Sequence, residues 1–322
     1  MALLSPELLR RLEQFQLLAS RRARSGLKGE RRSRARGQSV EFADYRSYAP
    51  GDDFRHLDWN LYARLDRLFL KLFEEERELP VRIFLDASES MSFGEPAKFD
   101  FARQLAAAIG YVALCGFDRV SVIPFPGGAV RVPEGAAGAT PEHATSNVEP
   151  GAGRMRQIAA EHALRSVRGK RSAREFFENL EMLEPGGAAS LNEALRRGAL
   201  EARRVGQAVV LSDFLDPAGY ETGLNALIGR GFEVSCVQIL SPEELSPTTF
   251  GDLRLVDSET GAVQEVTFGR FRMKSYRQTV ERFVQRLREY CTARGIRFFM
   301  AASDANLEAL LLKQLREAEL WA

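Results

Sequence analysis

The apolar positions of this chain change period in a regular way. The runs "VRIFLD" (81–86), "RVSVIPF" (119–125), "QAVVLSD" (207–213), "FEVSCVQIL" (232–240) and "IRFFMA" (296–301) have the length of strands and little polar face. Between and after them, 97–117, 172–183, 190–204, 218–229, 270–294 and 304–319 carry apolar residues at helical spacing. Strands without a polar face are covered on both sides, and strands that alternate with helices form parallel crossovers. The pattern predicts an α/β fold: a doubly wound, mostly parallel sheet with helices on both faces.

Other stretches break the pattern. "SVEFADYRSY" and "RLFLKLF", within 39–80, alternate with period two, as do two runs in 252–268 around Ser258, Glu259, Thr260 and Gly261. Each reads as a hairpin, and together they are expected to form a β-rich extension. "RSYAPGDDFRHLDWN" (46–60) is too broken for a helix and too charged for a buried strand, and Pro50 and Gly51 mark a turn. Near the start, Leu8, Leu9, Leu12, Phe15 and Leu18 recur at helical spacing, with Ser5 and Pro6 as cap and first turn. The expected organisation is therefore an amphipathic helix and basic linker (1–38), a β-rich extension (39–80 plus 252–268) and an α/β domain (81–251 and 269–322). Residues 127–154, rich in Gly, Ala and Pro, read as a surface insertion.

Composition narrows the function classes. The chain has 322 residues, 45% hydrophobic and 28% charged, with a formal net charge of +1. Such a balance creates no global field toward nucleic acid or membrane. The basic stretch 21–36 is the local exception, but it lacks the aromatics on which single-stranded bases stack. No apolar run reaches the roughly 18–20 residues of a membrane span, and the first residues lack the pattern of a secretory signal, so a cytoplasmic location is expected. Cys115, Cys236 and Cys291 stand apart in apolar stretches and read as small buried hydrophobes in a reducing compartment. With His56, His143 and His162 equally scattered, the pattern argues against zinc.

In open parallel sheets ligands bind at the carboxyl ends of strands. One strand ends in "LDASESM", with Asp86, Ser88 and Ser90, and another in "VLSDFLD", with Ser212, Asp213 and Asp216. Magnesium wants oxygen ligands in an octahedron and keeps some of its waters. Two hydroxyls and a carboxylate on one tight turn, met by Asp213 from a neighbouring strand, supply such a set and leave room for an outside acid. Motifs of other chemistries, a G-x-x-x-x-G-K-[ST] loop or a G-x-S-x-G elbow, do not occur. Asp52, Asp53 and Asp58 are expected to pair with Arg46 and Arg55 and pin the β segment, with Trp59 as a buried anchor; partner contact and acid/base chemistry are the alternatives.

The stretches "EFADYRSYAPGDDFRHLDWNLYAR", "LDASESM", "VVLSDFLD" and "LVDSETG" are together similar to the bacterial family known as domain of unknown function 58. "LDASESM" by itself resembles the metal-ion-dependent adhesion site of von Willebrand factor A-type domains. The resemblance implies a von Willebrand factor A-like fold with Asp86, Ser88, Ser90 and Asp213 as ligands of Mg²⁺ or Mn²⁺. It places Ala189 where a threonine ligand usually stands. The adjacent Ser190 either supplies the missing hydroxyl or caps the following helix in a capping box with Glu193. It further implies a non-enzymatic adaptor, chaperone-like in character, that works with a MoxR-type AAA+ ATPase on a client protein. The alternatives are a magnesium-dependent phosphoesterase using Asp86 and Asp213, and a nucleic-acid binder using 21–36.

Overall fold

The computed structural model describes residues 3–15, 40–49, 54, 57–75, 79–126, 129–131, 155–157, 164–188, 190–247, 251–256 and 263–314. The chain divides into two compact units, Gly26–Glu78 and a larger one of Met1–Ser25 with Leu79–Ala322. The basic linker 21–36 and most of the insertion 127–154 lie outside the described residues, as do the far end of the expected first helix and Ala189.

The larger unit opens with α1 (Pro6–Leu12), where the Ser5 hydroxyl accepts from the Leu8 amide and Pro6 occupies the first turn, as the sequence predicts. The smaller unit holds β1 (Val40–Ser47), α2 (Trp59–Leu65) and β2 (Phe69–Glu75), with the two strands antiparallel. Helix α2 corrects the expectation of an unbroken strand–turn–strand. Asp58 is its N-cap: Oδ1 accepts from the amides of Asn60 and Leu61, at 2.9 and 3.1 Å. Two of the orphan donors of a helix start are thereby satisfied. The Tyr45 hydroxyl donates to the other Asp58 oxygen at 2.9 Å. Trp59 is not a buried anchor: as the first residue of α2 it is 62% exposed, with an edge-on contact to Tyr62. The expected partners Asp52, Asp53 and Arg55, and the side chain of Arg46, lie outside the described residues.

The larger unit continues with β3 (Pro80–Asp86), α3 (Lys98–Cys115), β4 (Arg119–Phe125), β5 (Ala129–Arg131), β6 (Met155–Gln157), β7 (Leu164–Arg168), α4 (Ala173–Glu181) and β8 (Leu183–Glu184). Then follow α5 (Leu191–Glu201), β9 (Gln207–Ser212), α6 (Glu221–Arg230), β10 (Glu233–Leu240), α7 (Pro242–Leu245), β11 (Gly251–Val256), β12 (Val263–Phe268), α8 (Arg270–Thr292), β13 (Arg297–Ala302) and α9 (Leu307–Ala309). The main sheet has the order β13-β10-β9-β3-β4-β7. Its pairs are parallel except β7 against β4 at one edge. Strands β11 and β12, expected to join 39–80 in one extension, pair with each other in a separate two-stranded sheet.

Strand side chains alternate between two cores. Val81, Ile83, Leu85, Val209, Leu211, Val237 and Ile239 pack with α1, α3 and α4, while Phe84, Ala208, Val210, Val234 and Cys236 pack with α5, α6 and α8. This is the doubly wound, mostly parallel α/β architecture the apolar runs predict. Counted along the chain, the six strands lie in the spatial order third, second, first, fourth, fifth, sixth. The order reverses between β3 and β9, so their carboxyl ends flank the crevice at the topological switch point.

Two details fix helix α5 beside that crevice. Helix α5 lies close enough to the sheet that a Cβ at Gly198 would meet the Phe84 ring at 2.4 Å. Its start is held by the loop after β9: the Leu191 amide donates to Asp216 Oδ2 at 2.8 Å, and Asp216 Oδ1 accepts from the Ala218 amide at 2.7 Å. Among the described residues, no helix is long and apolar enough to cross a membrane.

Three substitutions test this packing by urea denaturation. Asp216→Ala removes the acceptor at the start of α5 and is expected to lower stability by about 1–2 kcal/mol. Gly198→Ala forces the Phe84 ring to move and is expected to cost about 1–3 kcal/mol despite the better helix propensity of alanine. At Gly229, exposed in α6 with open space around its Cα, the same change is expected to raise stability by about 0.5–1 kcal/mol. Equal effects at the two glycines would contradict the packing described.

Candidate functional site

Strand β3 delivers Asp86 to the crevice and β9 delivers Ser212, followed by Asp213. Both carboxylates are buried. The chain beyond β3 turns back at once, and the Ser88 amide and hydroxyl both donate to Asp86 Oδ1, at 3.0 and 2.7 Å. The Ser212 hydroxyl donates to Asp86 Oδ2 at 2.5 Å. Ser88 Oγ lies 3.0 Å from Ser90 Oγ, and the Ser90 hydroxyl donates to Asp213 Oδ2 at 3.2 Å. Asp213 Oδ1 accepts from the Leu215 amide at 3.0 Å. The four residues singled out in the sequence, Asp86, Ser88, Ser90 and Asp213, thus form one continuous chain of oxygens.

The backbone turns sharply to make this possible. Phe214 adopts φ 61°, in the left-handed region that a bulky side chain rarely enters. Its amide donates to Ser212 Oγ at 2.9 Å, and its buried ring meets Tyr220 edge-on. Strain of this kind costs about 1–3 kcal/mol and is held in place by surrounding contacts. Here it turns the chain immediately after Asp213. On the other side of the cluster, the Gly186 amide donates to Ala87 O at 2.8 Å and the Glu89 amide to Gly187 O at 2.9 Å. The loop that leads to Ser190 is therefore laced to the turn carrying Ser88 and Ser90. Ser190 stands at the N-cap of α5, but its hydroxyl makes no capping bond and its side chain is exposed. Asp216 takes the Leu191 amide instead.

A residue that the sequence patterns did not single out completes the cluster. Lys98, in the first turn of α3, is fully buried. Its ammonium donates to Asp213 Oδ2 at 2.7 Å and to Glu244 Oε1 at 2.6 Å. Glu244 belongs to α7, where its other oxygen accepts from the Ser241 amide and the Ser241 hydroxyl accepts from the Glu244 amide, a closed capping box.

Electrostatics follow from this arrangement. Burial, and then the charge of Asp213, push the Asp86 carboxyl up to about 7, against the bonds from Ser212 and Ser88 that favour its ionised form. For Lys98, burial disfavours the ammonium, but the carboxylates of Asp213 and Glu244 outweigh it and raise its pKa above the ordinary lysine value. With all three acids ionised, three negative charges face one positive charge. The negative excess is two with Asp86 ionised and one with it protonated.

The oxygen set has the donor types that a hard divalent ion takes. Mg²⁺ binds oxygens at about 2.0–2.1 Å in an octahedron, which places neighbouring ligands about 3 Å apart. The successive oxygens from Asp86 through Ser88 and Ser90 to Asp213 are spaced 2.7, 3.0 and 3.2 Å. Among the described residues, no group of three or more His, Cys, Asp or Glu side chains is placed to hold a metal. The donors are thus two carboxylates and two hydroxyls, a set suited to Mg²⁺ or Mn²⁺ rather than to softer ions. Thiol chemistry has no support here. The cysteines are free, burial pushes Cys236 well above the ordinary thiol value, and burial raises Cys115 as well.

Comparisons with known proteins agree with the motifs. Uncharacterized protein Rv1480 of Mycobacterium tuberculosis (strain H37Rv) is 29% identical over 263 residues, covering 81% of this chain and 74% of its own length. Uncharacterized protein Mb1516 of Mycobacterium bovis matches to the same extent. Among solved structures, a conserved hypothetical protein BatB from Bacteroides thetaiotaomicron aligns at TM-score 0.38 and 15% identity, over 74% of this chain and 98% of that one. An aerotolerance-related membrane protein from Bacteroides fragilis aligns at TM-score 0.39 and 15% identity, over 75% and 98%. Similarity that distant carries no functional argument. The model of the family described as protein of unknown function DUF58 matches residues 44–289, and the chain belongs to that family.

Proposed function

We propose that this chain is a non-enzymatic protein-binding module. In this reading Asp86, Ser88, Ser90 and Asp213 hold Mg²⁺ or Mn²⁺, with Ser190 at the rim as a further hydroxyl. The ion supplies positive charge at a strand-end crevice, where an acidic side chain of another protein is the natural incoming ligand. We assign the protein to the cytoplasm, as a chaperone-like adaptor that works with a MoxR-type AAA+ ATPase on a client protein. The single observation that supports the reading best is the oxygen chain itself: two carboxylates and two hydroxyls brought together at the switch point of the sheet.

Catalysis is a weaker reading of the same residues. Hydrolysis through a divalent ion calls for a positioned base or a second metal beside it. The Asp86 and Asp213 oxygens are hydrogen-bonded to Ser88, Ser90, Ser212, Lys98 and backbone amides, and both readings require some of these bonds to be exchanged.

The test is association of the purified full chain with the MoxR-type ATPase of the same organism, or with its client, followed by sedimentation. Asp86→Ala and Asp213→Ala are each expected to weaken association at least about tenfold, a loss of roughly 1.4 kcal/mol. EDTA should do the same to the unsubstituted protein. Association that survives both substitutions and the chelator would move the interface away from this crevice. Turnover of a phosphoester by the purified chain, abolished by the same substitutions, would favour the enzyme instead.

A further inference from the structure

Lys98 is out of place by every local rule. A cation in the first turn of a helix opposes the helix dipole, and a lysine is almost never fully buried unless it is paired. Yet Lys98 has no exposed surface and sits at the start of a mostly apolar helix. Its two partners come from different strand ends, Asp213 after β9 and Glu244 after β10. These partners are not equivalent. Glu244 is fixed by its own capping box with Ser241, so its position does not depend on the lysine. Asp213 Oδ2, by contrast, is shared between Lys98 and Ser90, whose hydroxyl belongs to the oxygen chain.

We propose that Lys98 is a built-in competitor for the divalent ion, a tethered cation that shares Asp213 with the metal and is held back from it by Glu244. This rests on the reading that the Asp86–Asp213 cluster holds such an ion. The lysine's positive charge then divides between two carboxylates. Whatever strengthens its bond to Glu244 frees Asp213 for the metal, and whatever weakens that bond returns the whole ammonium to Asp213. Glu244 thereby governs ion affinity without touching the ion. In the ion's absence the same lysine keeps the buried Asp213 charge from standing unpaired, so the fold does not depend on metal.

The three variants Lys98→Met, Glu244→Gln and the double substitution test this by calorimetric titration of the full chain with MnCl₂. Lys98→Met is expected to tighten Mn²⁺ binding at least about tenfold, and Glu244→Gln to weaken it by a similar factor. The decisive quantity is the coupling between them. If Glu244 acts through the lysine, Glu244→Gln should matter little once Lys98 is gone, less than about threefold. If both residues contribute only a general field, the two effects will multiply independently, and the proposal is overturned. Lys98→Met by itself leaves the buried Asp213 and the partly buried Glu244 without their shared cation and risks misfolding. The double variant also neutralises Glu244, so that only Asp213 is left without its cation; a cooperative thermal melt of each variant establishes that it is folded before affinities are compared. Comparing the double variant with Glu244→Gln reads the same lysine effect: tighter binding in the double supports competition, and equal or weaker binding refutes it. Absence of Mn²⁺ binding by the unsubstituted chain and by all three variants would instead reject the metal reading on which the inference rests.

Discussion

Two carboxylates, Asp86 and Asp213, are buried side by side where the strand order of the sheet reverses, and the surrounding structure is arranged around that burden. Each desolvated charge would cost several kcal/mol if left alone. Their oxygens are met by the hydroxyls of Ser88, Ser90 and Ser212, by the amides of Ser88 and Leu215, and by the ammonium of Lys98. These groups arrive from the ends of β3 and β9 and the start of α3, while α7 contributes Glu244 to the far side of the lysine. The left-handed turn at Phe214, and the lacing of the 186–187 loop to the turn after β3, are consequences of bringing so many strand ends to one point.

The fold was legible because its strands carry little polar face. A run such as 207–212, buried at every position, can only lie between two helical layers. The candidate site was legible for a related reason: an apolar strand that ends abruptly in an acid and two serines marks a carboxyl end with oxygens to spare. The lysine at its centre was not. Lys98 opens a helix that also carries Asp100, Arg103 and Gln104, so it reads as the solvated start of that helix. Its partners lie 115 and 146 residues further along the chain, beyond the reach of any local pattern. The one available clue was a basic residue at the wrong end of a helix.

Other differences also have physical causes. The stretch around Asp58 looked too charged for regular structure, yet the charge is what starts α2, because an aspartate before a helix satisfies amides that nothing else reaches. The tryptophan that follows was expected to be buried on account of its size, but its place on the first turn leaves it exposed. Strand β7 went unnoticed because an antiparallel edge strand needs few apolar residues, and "LRSVR" offers two. Ser190 matched a capping box by spacing, but a side chain from the loop after β9 reaches the α5 amide instead. Tertiary partners override local grammar most often where loops converge, and in this protein they converge at the candidate site.

Membership of the family leaves the chemistry of the crevice as the best guide to function, and that chemistry turns on the two buried acids, Asp86 and Asp213. The most direct measurement is thermal unfolding of the purified chain with and without millimolar Mg²⁺, beside the Asp86→Asn variant. A ligand that binds only the folded state stabilises by mass action, by about 2.7 kcal/mol at one hundred times its dissociation constant. The melting temperature is expected to rise with Mg²⁺ in the unsubstituted chain and not to respond in Asp86→Asn. A melting temperature indifferent to Mg²⁺ and Mn²⁺ in both proteins would contradict the metal reading.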